Sequence, residues 1–469
     1  MNLSFILSRV RGLTPNSKEV KKGYLFFAIK GTKFDGHDFV KEAQDRGAYA
    51  VVTQKPVHLD IPVIVVENTR KALGESAHIF FGKPSKKLNI IGVTGTNGKT
   101  TTTYVIEKIL ELSGEKVGVL GTVNYRMGNE ILGEGRTTPD PITWHRILKE
   151  LLEKGASHVV AEISSHALDQ YRVYPTEFEA VIFTNLTRDH LDYHKTMEEY
   201  FLSKKRLFTE YDSKVKIINT DDPYGKRLAK EVDREIITYG RNGELKIEDF
   251  STKLDGSKIE VSFRGKRYTF FSNLAGEFQA YNLGAGIAYA LWKGIEEEVI
   301  SKALKCINVP GRFEVVYRGA FTVIVDYAHT PDAIENVLKT ARTITRKRLI
   351  SLFGAGGNRD REKRPMMGRA SERFSDIIIL TSDNPRDEEP EAIIEDILKG
   401  IRNKKKVIVE PNRRKAIEIA LRIAEEGDTV AILGKGHENY QEIKGVKYPF
   451  SDAEVVKEIL GGDGCIGKG

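Results

Sequence analysis

The stretch "NIIGVTGTNGKTTTTYVIEKIL", residues 89–110, decides the fold. "NIIGVTG" is apolar and β-branched and predicts a buried strand, "TNG" predicts a turn, and the residues from Lys99 onward predict a helix. A strand that passes through a glycine turn into a helix N-terminus leaves backbone N–H groups beside the positive end of the helix dipole, which suits a phosphate. Lys99 is placed to reach the outer phosphates of a nucleotide, and the Thr100 hydroxyl to ligate Mg²⁺. ATP is the expected occupant, with Gly95, Thr96, Asn97, Gly98, Lys99, Thr100 and Thr101 as its loop. The common pattern G-x-x-x-x-G-K-[ST] asks for glycine at position 93, where this chain has Val93.

Working outward, strands such as "HVVAEIS" and "AVIFTNL" alternate with helical stretches such as Trp144 to Glu153 across residues 89–309. That alternation predicts a mostly parallel sheet covered by helices on both faces. Residues 235–271 alternate polar and apolar between glycine turns and read as an inserted antiparallel meander. Residues 1–88 read as a smaller α/β unit, with strands "YLFFAI", "AYAVVTQ" and "IPVIVVE" and a helix from Asp38 to Arg46. Residues 310–469 read as a third, Rossmann-like α/β unit with strands "TVIVDYA", "RLISLFG", "DIIILTS", "KVIVEP" and "TVAILG". The tail "GGDGCIGKG" reads as disordered.

Composition narrows the function classes. With 40% hydrophobic and 30% charged residues the chain has the profile of a globular protein. No stretch approaches the length of uncharged apolar sequence that a transmembrane helix needs. "MNLSFILSRVRGL" is too short and too interrupted by arginine for a signal peptide, so a cytoplasmic protein with no membrane partner is expected. The two cysteines, Cys306 and Cys465, give neither a disulfide framework nor metal-ligand spacing. The net charge of +7 is spread among interleaved acids, without the aromatic-flanked basic clusters of a nucleic-acid binder.

Two further positions carry chemistry on their own. Glu162 ends the strand "HVVAEIS", where open α/β sheets keep their ligands, and a carboxylate there is a hard oxygen donor for Mg²⁺. Asp383-Asn384-Pro385-Arg386 follows "DIIILTS" at another strand end. A proline turn alone would account for that tetrapeptide, and so would a ligand site.

"GVTGTNGKTTT", "AEISSHAL", "TNLTRDHLDYH", "PGRFE", "DYAHTPDA", "FGAGGNRDREKRP", "SDNPR" and "GKGHE" occur in the order shown by the Mur ligase family, which the chain resembles nearly end to end. The resemblance implies a three-domain Mur ligase architecture. Residues 1–88 would bind UDP, 89–309 would bind ATP and carry catalysis, and 310–469 would bind the incoming amino acid. It implies an ATP-dependent amide ligase that adds meso-2,6-diaminopimelate to UDP-MurNAc-L-Ala-D-Glu through an acyl phosphate, acting as a monomer. It also implies His190 and Lys204 (as a CO₂-derived carbamate) as ligands of a second Mg²⁺, and Asn185 near the phosphates. Lys204 falls in the family pattern Y-x-x-A-K-x-x-L-F at Tyr200 to Phe208, with Ser203 in place of the alanine. Asn282, Arg312, Asp326 and His329 match ATP contacts, while Gln279 stands where the family usually has asparagine. Ser17, Thr32, Lys33 and Phe34 match the uridine-binding segment, and Thr137, Thr138, Ser164, Gln170 and Arg172 the muramoyl-peptide site. The form D-N-P-R is that of diaminopimelate-adding members; Arg386 and Asn384 would read the distal carboxylate, with Arg359, Asp383, Pro385, Gly434 and Glu438 completing the pocket. An L-lysine-adding ligase, a folylpolyglutamate synthetase and a P-loop regulatory ATPase are the alternatives. The uridine-type segment argues against the folylpolyglutamate synthetase.

Overall fold

The computed structural model describes residues 3–31, 34–233, 235–253 and 255–461. Thr32, Lys33, Cys465 and nearly all of the C-terminal tail lie outside the described residues. Three separate sheets organise the chain. The first is four parallel strands, Gly12–Thr14, Tyr24–Phe27, Ala50–Thr53 and Val63–Val65, in sequence order. The expected helix at Asp38 to Arg46 is a 3₁₀ turn, Gly36–Phe39, that leads into an α-helix, Val40–Asp45. Asp35 caps the turn by accepting the His37 N–H, and His37 is held in turn by Asp35 through Nδ1.

The second sheet has eleven strands, and its run of seven parallel strands places Asn89–Thr94 between Phe178–Phe183 and His158–Glu162. All three strands are almost wholly buried, as continuous apolar runs in a two-sided parallel sheet should be. The strand Val117–Leu120, next in sequence after Asn89–Thr94, lies beyond His158–Glu162, so the chain order reverses beside the phosphate loop. The meander proves narrower than residues 235–271. Ile236–Gly240 pairs parallel with both Ser213–Asn219 and Leu245–Lys253, and the antiparallel pairing begins only where Leu245–Lys253 meets Gly256–Phe263, which in turn meets Lys266–Ser272, extending the same sheet. A second antiparallel pair, Tyr125–Met127 and Glu130–Gly133, closes the opposite edge. The third sheet orders its parallel strands Thr322–Asp326, Thr429–Leu433, Leu349–Phe353, Ile377–Leu380 and Val407–Val409, with Glu314–Arg318 antiparallel on the edge. A short hairpin, Tyr440–Ile443 with Val446–Pro449, stands apart from it. Among the described residues no helix is long and apolar enough to cross a membrane.

The first and second sheets meet through two helices, Thr69–Phe80 and Pro141–Glu153. Asp140 accepts the Ile142 and Thr143 N–H groups at the start of the second, and Pro141 occupies its first turn. Trp144 is fully buried and donates its indole N–H to Thr176 Oγ1 at 2.9 Å. His78 and His145 face each other across this joint with ring centres 5.1 Å apart, and the Nδ1 of each is buried without a partner. Burial lowers the pKa of both, that of His145 to about 3, although its ring also bonds the Tyr174 carbonyl.

Both rings are therefore neutral in the folded protein and ordinary histidines once unfolded, so below about pH 6.5 the unfolded chain takes up protons that the folded one does not. Stability should fall as pH drops from about 6.5 toward 3, by at most about 1.4 kcal/mol per pH unit for each group. Thermal midpoints of the wild type and of His145→Gln across that range should show a shallower acid slope in the variant. Equal slopes would mean that His145 titrates normally in the folded state.

Candidate active site

The loop after Asn89–Thr94 is fixed from the neighbouring strand. Asn185 accepts the Asn97 N–H through Oδ1 at 2.9 Å, donates Nδ2 to the Asn97 carbonyl at 3.1 Å, and accepts the Thr96 N–H through its own carbonyl. Gly95 and Gly98 have φ of 148° and 85°, and a Cβ on them would come within 1.9 Å of Thr184 Oγ1 and 2.3 Å of Asn282 Oδ1. No other residue fits either place. Lys99–Leu112 starts at Gly98 and, like Gln279–Lys293 and Glu297–Leu304, has no side-chain cap, whereas Asp140, Ser164, Thr196 and Asp222 cap other helices of this sheet. The first turn of Lys99–Leu112 is left for an anion.

Two lysines converge on this loop. Lys99 Nζ donates to the carbonyls of Gly95 and Thr96 at 3.0 and 2.9 Å, and the buried Lys204 Nζ donates to the same Gly95 carbonyl at 2.8 Å. Lys204 comes from the helix Met197–Thr209, whose buried face also carries Tyr200 and Phe208, the spacing expected from sequence. Burial, reinforced by the charge of Lys99, pushes Lys204 well below the ordinary lysine range. Burial lowers Lys99 as well, against the pull of Glu162 and Asp189. Ser203 bonds the Ser165 carbonyl, and His194 stacks on Tyr200 while meeting Ser165 Oγ, so both brace the helix.

Glu162 is buried at the centre of a chain of hydroxyls. Thr100 Oγ1 donates to its Oε1 at 2.9 Å, the Thr122 N–H donates to the same oxygen at 2.8 Å, and Thr122 Oγ1 donates to Oε2 at 2.9 Å. Thr122 Oγ1 also lies 3.1 Å from Thr137 Oγ1. Thr138 donates to the Glu162 carbonyl and to Ser164, and Arg172 bonds both the Thr138 carbonyl and Gln170 Oε1. The structure thus joins the expected metal donors to Thr137, Thr138, Ser164, Gln170 and Arg172. From the third sheet, Arg312 Nη2 reaches Thr100 Oγ1 at 3.0 Å.

His190 sits at a φ of 55°, with its N–H donated to Asp189 Oδ1. Burial lowers its pKa to about 3, leaving a neutral imidazole suited to ligate a metal. Beneath it, Asp189 meets Lys363 Nζ from the third unit at 3.1 Å, both side chains being 6% exposed. Burial opposes charge on Asp189, but the His190 ring and the Lys363 ammonium more than offset this and hold it well below the carboxylate range. Arg188 adds ion pairs to Asp360 and Glu362 across the same boundary. His329 also faces Asp189, 3.9 Å from its Oδ2. Asp326 spends one oxygen on the Phe313 N–H and the other on the Ala328 N–H, which shapes the turn carrying Arg312. Gln279 is fully buried and accepts Asn282 Nδ2 at 2.8 Å, while its own Nε2 finds no partner.

The third sheet's strand ends form a polar pocket. Asn384 Nδ2 donates to Glu438 Oε2 at 2.9 Å, and Lys435 Nζ bonds both Asn384 Oδ1 and Glu438 Oε2. Burial pushes Asp383 up, yet Lys435 and Arg413 hold it below its usual range; its Oδ2 is buried beside Gly434 without a partner. Arg386 and the exposed Arg359 both border Gly356. In the first unit Ser17 is buried and donates to Glu42 at 2.8 Å, and Phe34 is 72% exposed.

Sequence reasoning missed Thr122, Asp189, Lys363 and Lys435. Three of these lie inside the quoted motifs, at "TRDH", "DREKRP" and "GKGHE"; Thr122 carries no motif, and only its place one residue beyond a strand-end glycine could have pointed to it.

Three parallel-dominated sheets with a strand–loop–helix nucleotide site in the middle one define a multidomain α/β nucleotide-dependent enzyme. Family models match in series along the chain: "Mur ligase family, catalytic domain" over residues 9–92, "Mur ligase middle domain" over 93–290 and "Mur ligase, glutamate ligase domain" over 311–436. The chain belongs to the Mur ligase family. It is 72% identical, over 100% of its own length and 97% of the relative's, to the UDP-N-acetylmuramoyl-L-alanyl-D-glutamate–2,6-diaminopimelate ligase of Aquifex aeolicus (strain VF5). A solved structure of a ligase of the same name matches with 34% identity and a TM-score of 0.69, over 96% of this chain and 94% of that one. The MurF ligase of Thermotoga maritima in complex with ADP shares the fold at 20% identity and a TM-score of 0.64, over 97% of each chain.

Removing one member of a buried pair strands the other, at a cost of about 3–5 kcal/mol. Lys363→Met should therefore lower the thermal midpoint markedly, and adding Asp189→Asn should recover much of the loss. Additive losses in the double variant would show that the pair is not coupled.

Proposed function

We propose that this chain is an ATP-dependent acid–amino-acid ligase of peptidoglycan precursor synthesis, joining meso-2,6-diaminopimelate to UDP-MurNAc-L-Ala-D-Glu with release of ADP and phosphate. The observation that carries the reading is the pocket of Asn384, Arg386 and Glu438 in a chain so similar to a ligase of that name. Residues 1–88 hold the uridine end through Ser17, Thr32, Lys33 and Phe34, residues 89–309 hold ATP and the muramoyl peptide, and residues 310–469 hold the amino acid. The enzyme works as a monomer in the cytoplasm.

The γ-carboxylate of the D-glutamyl group attacks the γ-phosphorus of ATP and ADP departs. The diaminopimelate amine then attacks the acyl phosphate, and the tetrahedral intermediate expels phosphate. Phosphoryl transfer of this kind depends on positioned cations more than on covalent partners. Lys99 and Arg312 supply fixed positive charge beside the helix N-terminus, and Asn185 keeps the loop in place. Asp326 orients the turn that presents Arg312, while Asn282 and His329 line the nucleotide side. Thr137, Thr138, Ser164, Gln170 and Arg172 position the acceptor peptide. Among the described residues no three His, Cys, Asp or Glu side chains converge as a metal cage. Thr100 and Glu162, 2.9 Å apart, and the neutral His190 nonetheless fit Mg²⁺, which takes few protein ligands and shares the phosphates. When bound, the ion would neutralise the phosphate oxygens. Lys204 fits carbamylation because its burial favours the neutral amine, which adds to CO₂ and sheds a proton; the resulting carboxylate is a further oxygen donor beside His190.

Diaminopimelate carries a carboxylate and an ammonium at its far end, where lysine has only the ammonium. Arg386 pairs with that carboxylate and would face a cation in lysine. ADP release measured with UDP-MurNAc-L-Ala-D-Glu and a panel of amino acids should require meso-diaminopimelate, which also separates a ligase from a regulatory ATPase. Arg386→Ala should lose several hundredfold in kcat/KM for diaminopimelate, the loss of a buried charge pair being worth about 2–5 kcal/mol. A wild type that prefers lysine, or a variant that handles diaminopimelate unchanged, overturns the substrate assignment.

Lys204→Ala should be nearly inactive, and acetate should restore part of the activity by supplying oxygen donors. An active preparation whose intact mass shows an unmodified Lys204 under saturating CO₂ would count against the carbamate.

A further inference from the structure

Arg386 sits at a φ of 52°, a left-handed conformation that costs a non-glycine residue about 1–2 kcal/mol unless its neighbours impose it. The neighbours belong to the hairpin Tyr440–Ile443 and Val446–Pro449. The Arg386 N–H donates to the Glu442 carbonyl at 3.2 Å, its carbonyl accepts the Lys444 N–H at 2.9 Å, and Arg386 forms an isolated parallel bridge with Ile443. The side chain is held as well: Nε donates to Glu442 Oε2 at 3.1 Å and Nη1 to the Gly357 carbonyl at 2.8 Å. The backbone of Glu442 meets Asn384 too, its main-chain N–H donating to Oδ1 at 2.9 Å, a bond that side-chain substitutions at 442 leave in place. With Lys435 on the same oxygen, this fixes which end of the Asn384 amide faces Glu438. One residue outside the D-N-P-R segment therefore orients both of its reading side chains.

A guanidinium has five N–H donors in a rigid fork. Glu442 takes the one on Nε and Gly357 one on Nη1, leaving the end of the fork, Nη1 with Nη2, to meet a ligand. A carboxylate offered to that end is bound by two parallel bonds. Glu442 also partly balances Arg386, while Arg359 beside Gly356 supplies a second cation for the incoming anion. We propose that Glu442 is a specificity-determining positioning residue, holding Arg386 and Asn384 so that the arginine fork meets the distal carboxylate of the amino-acid substrate end-on. The proposal rests on the reading of Asp383 to Arg386 as the amino-acid pocket.

The test is steady-state ADP release with meso-diaminopimelate and with L-lysine for the wild type, Glu442→Ala, Glu442→Gln and Arg386→Ala. Loss of one charge-assisted bond should raise the KM of Glu442→Ala for diaminopimelate roughly tenfold to a hundredfold and narrow its preference over lysine, with kcat and the KM for ATP little changed. Glu442→Gln, which keeps an acceptor, should recover much of the KM. Unchanged KM and preference in Glu442→Ala, alongside a raised KM in Arg386→Ala, overturn the role of Glu442 and leave the pocket intact. No effect in Arg386→Ala overturns the pocket itself, and the proposal with it. Should Glu442→Ala fail to fold, Glu442→Leu, which keeps the bulk and removes the acceptor, decides by the same KM and preference.

Discussion

Two lysine side chains share one carbonyl oxygen. Lys99 and Lys204 both donate to Gly95 O, and among the described residues no carboxylate lies within ion-pair distance of Lys204. Charging both amines so close together and out of water is unfavourable unless something anionic joins them, which is why both are pushed below the ordinary lysine range. The rest of the site is arranged around that deficit. The helix Lys99–Leu112 begins without a side-chain cap, and Arg312 adds a third cation at Thr100. Glu162 and Asp189 bring negative charge toward the lysines, and Asp332 accepts Asn97 Nδ2 at 2.9 Å. Glu162 is wrapped in hydroxyls and Asp189 is already paired with Lys363. A nucleotide triphosphate answers this imbalance better than any neutral ligand could.

The same deficit explains why the third unit is docked as it is. Its contributions to the boundary include a cation at each end, Arg312 on Thr100 and Lys363 on Asp189, while its own acids Asp360 and Glu362 engage Arg188 of the middle unit. Charges of opposite sign are thus exchanged across the interface. The polar pocket at Asn384 and Glu438 belongs to the same unit that contributes Arg312 and Lys363 to this boundary.

The strand–turn–helix at residues 89–110 was legible because every part of it is local: β-branched run, glycines, lysine and helix follow one another within reach of simple periodicity. The helix bearing Lys204 was legible through the family pattern at Tyr200 to Phe208, whereas the burial of the lysine itself was not. The meander was overextended by one strand because Ile236–Gly240 shares the alternation of the antiparallel strands and differs only in direction, pairing parallel with both Ser213–Asn219 and Leu245–Lys253. The two backbone bonds of Asp326, one to each carboxylate oxygen, could not be read from sequence, because they are set by the fold of its own loop. Lys363, Thr122 and Glu442 escaped altogether. Their partners lie 174, 40 and 56 residues away, and no pattern of spacing encodes a contact of that kind.

The antiparallel strands at the two margins of the central sheet have a consequence for solubility. A parallel core of apolar strands would expose, at either rim, a row of unpaired amides flanked by hydrophobic side chains, a template for association with another chain. Here Lys266–Ser272 forms one rim and Glu130–Gly133 the other. Phe271 is 51% exposed on the first rim, but Lys266 and Arg267 open that strand, and Lys266 is tied to Glu297 at 3.0 Å. Charge at the start of an edge strand acts as a gatekeeper against stacking. The flanking strands thus set charge, rather than a bare apolar edge, at the end of the sheet that carries the phosphate loop.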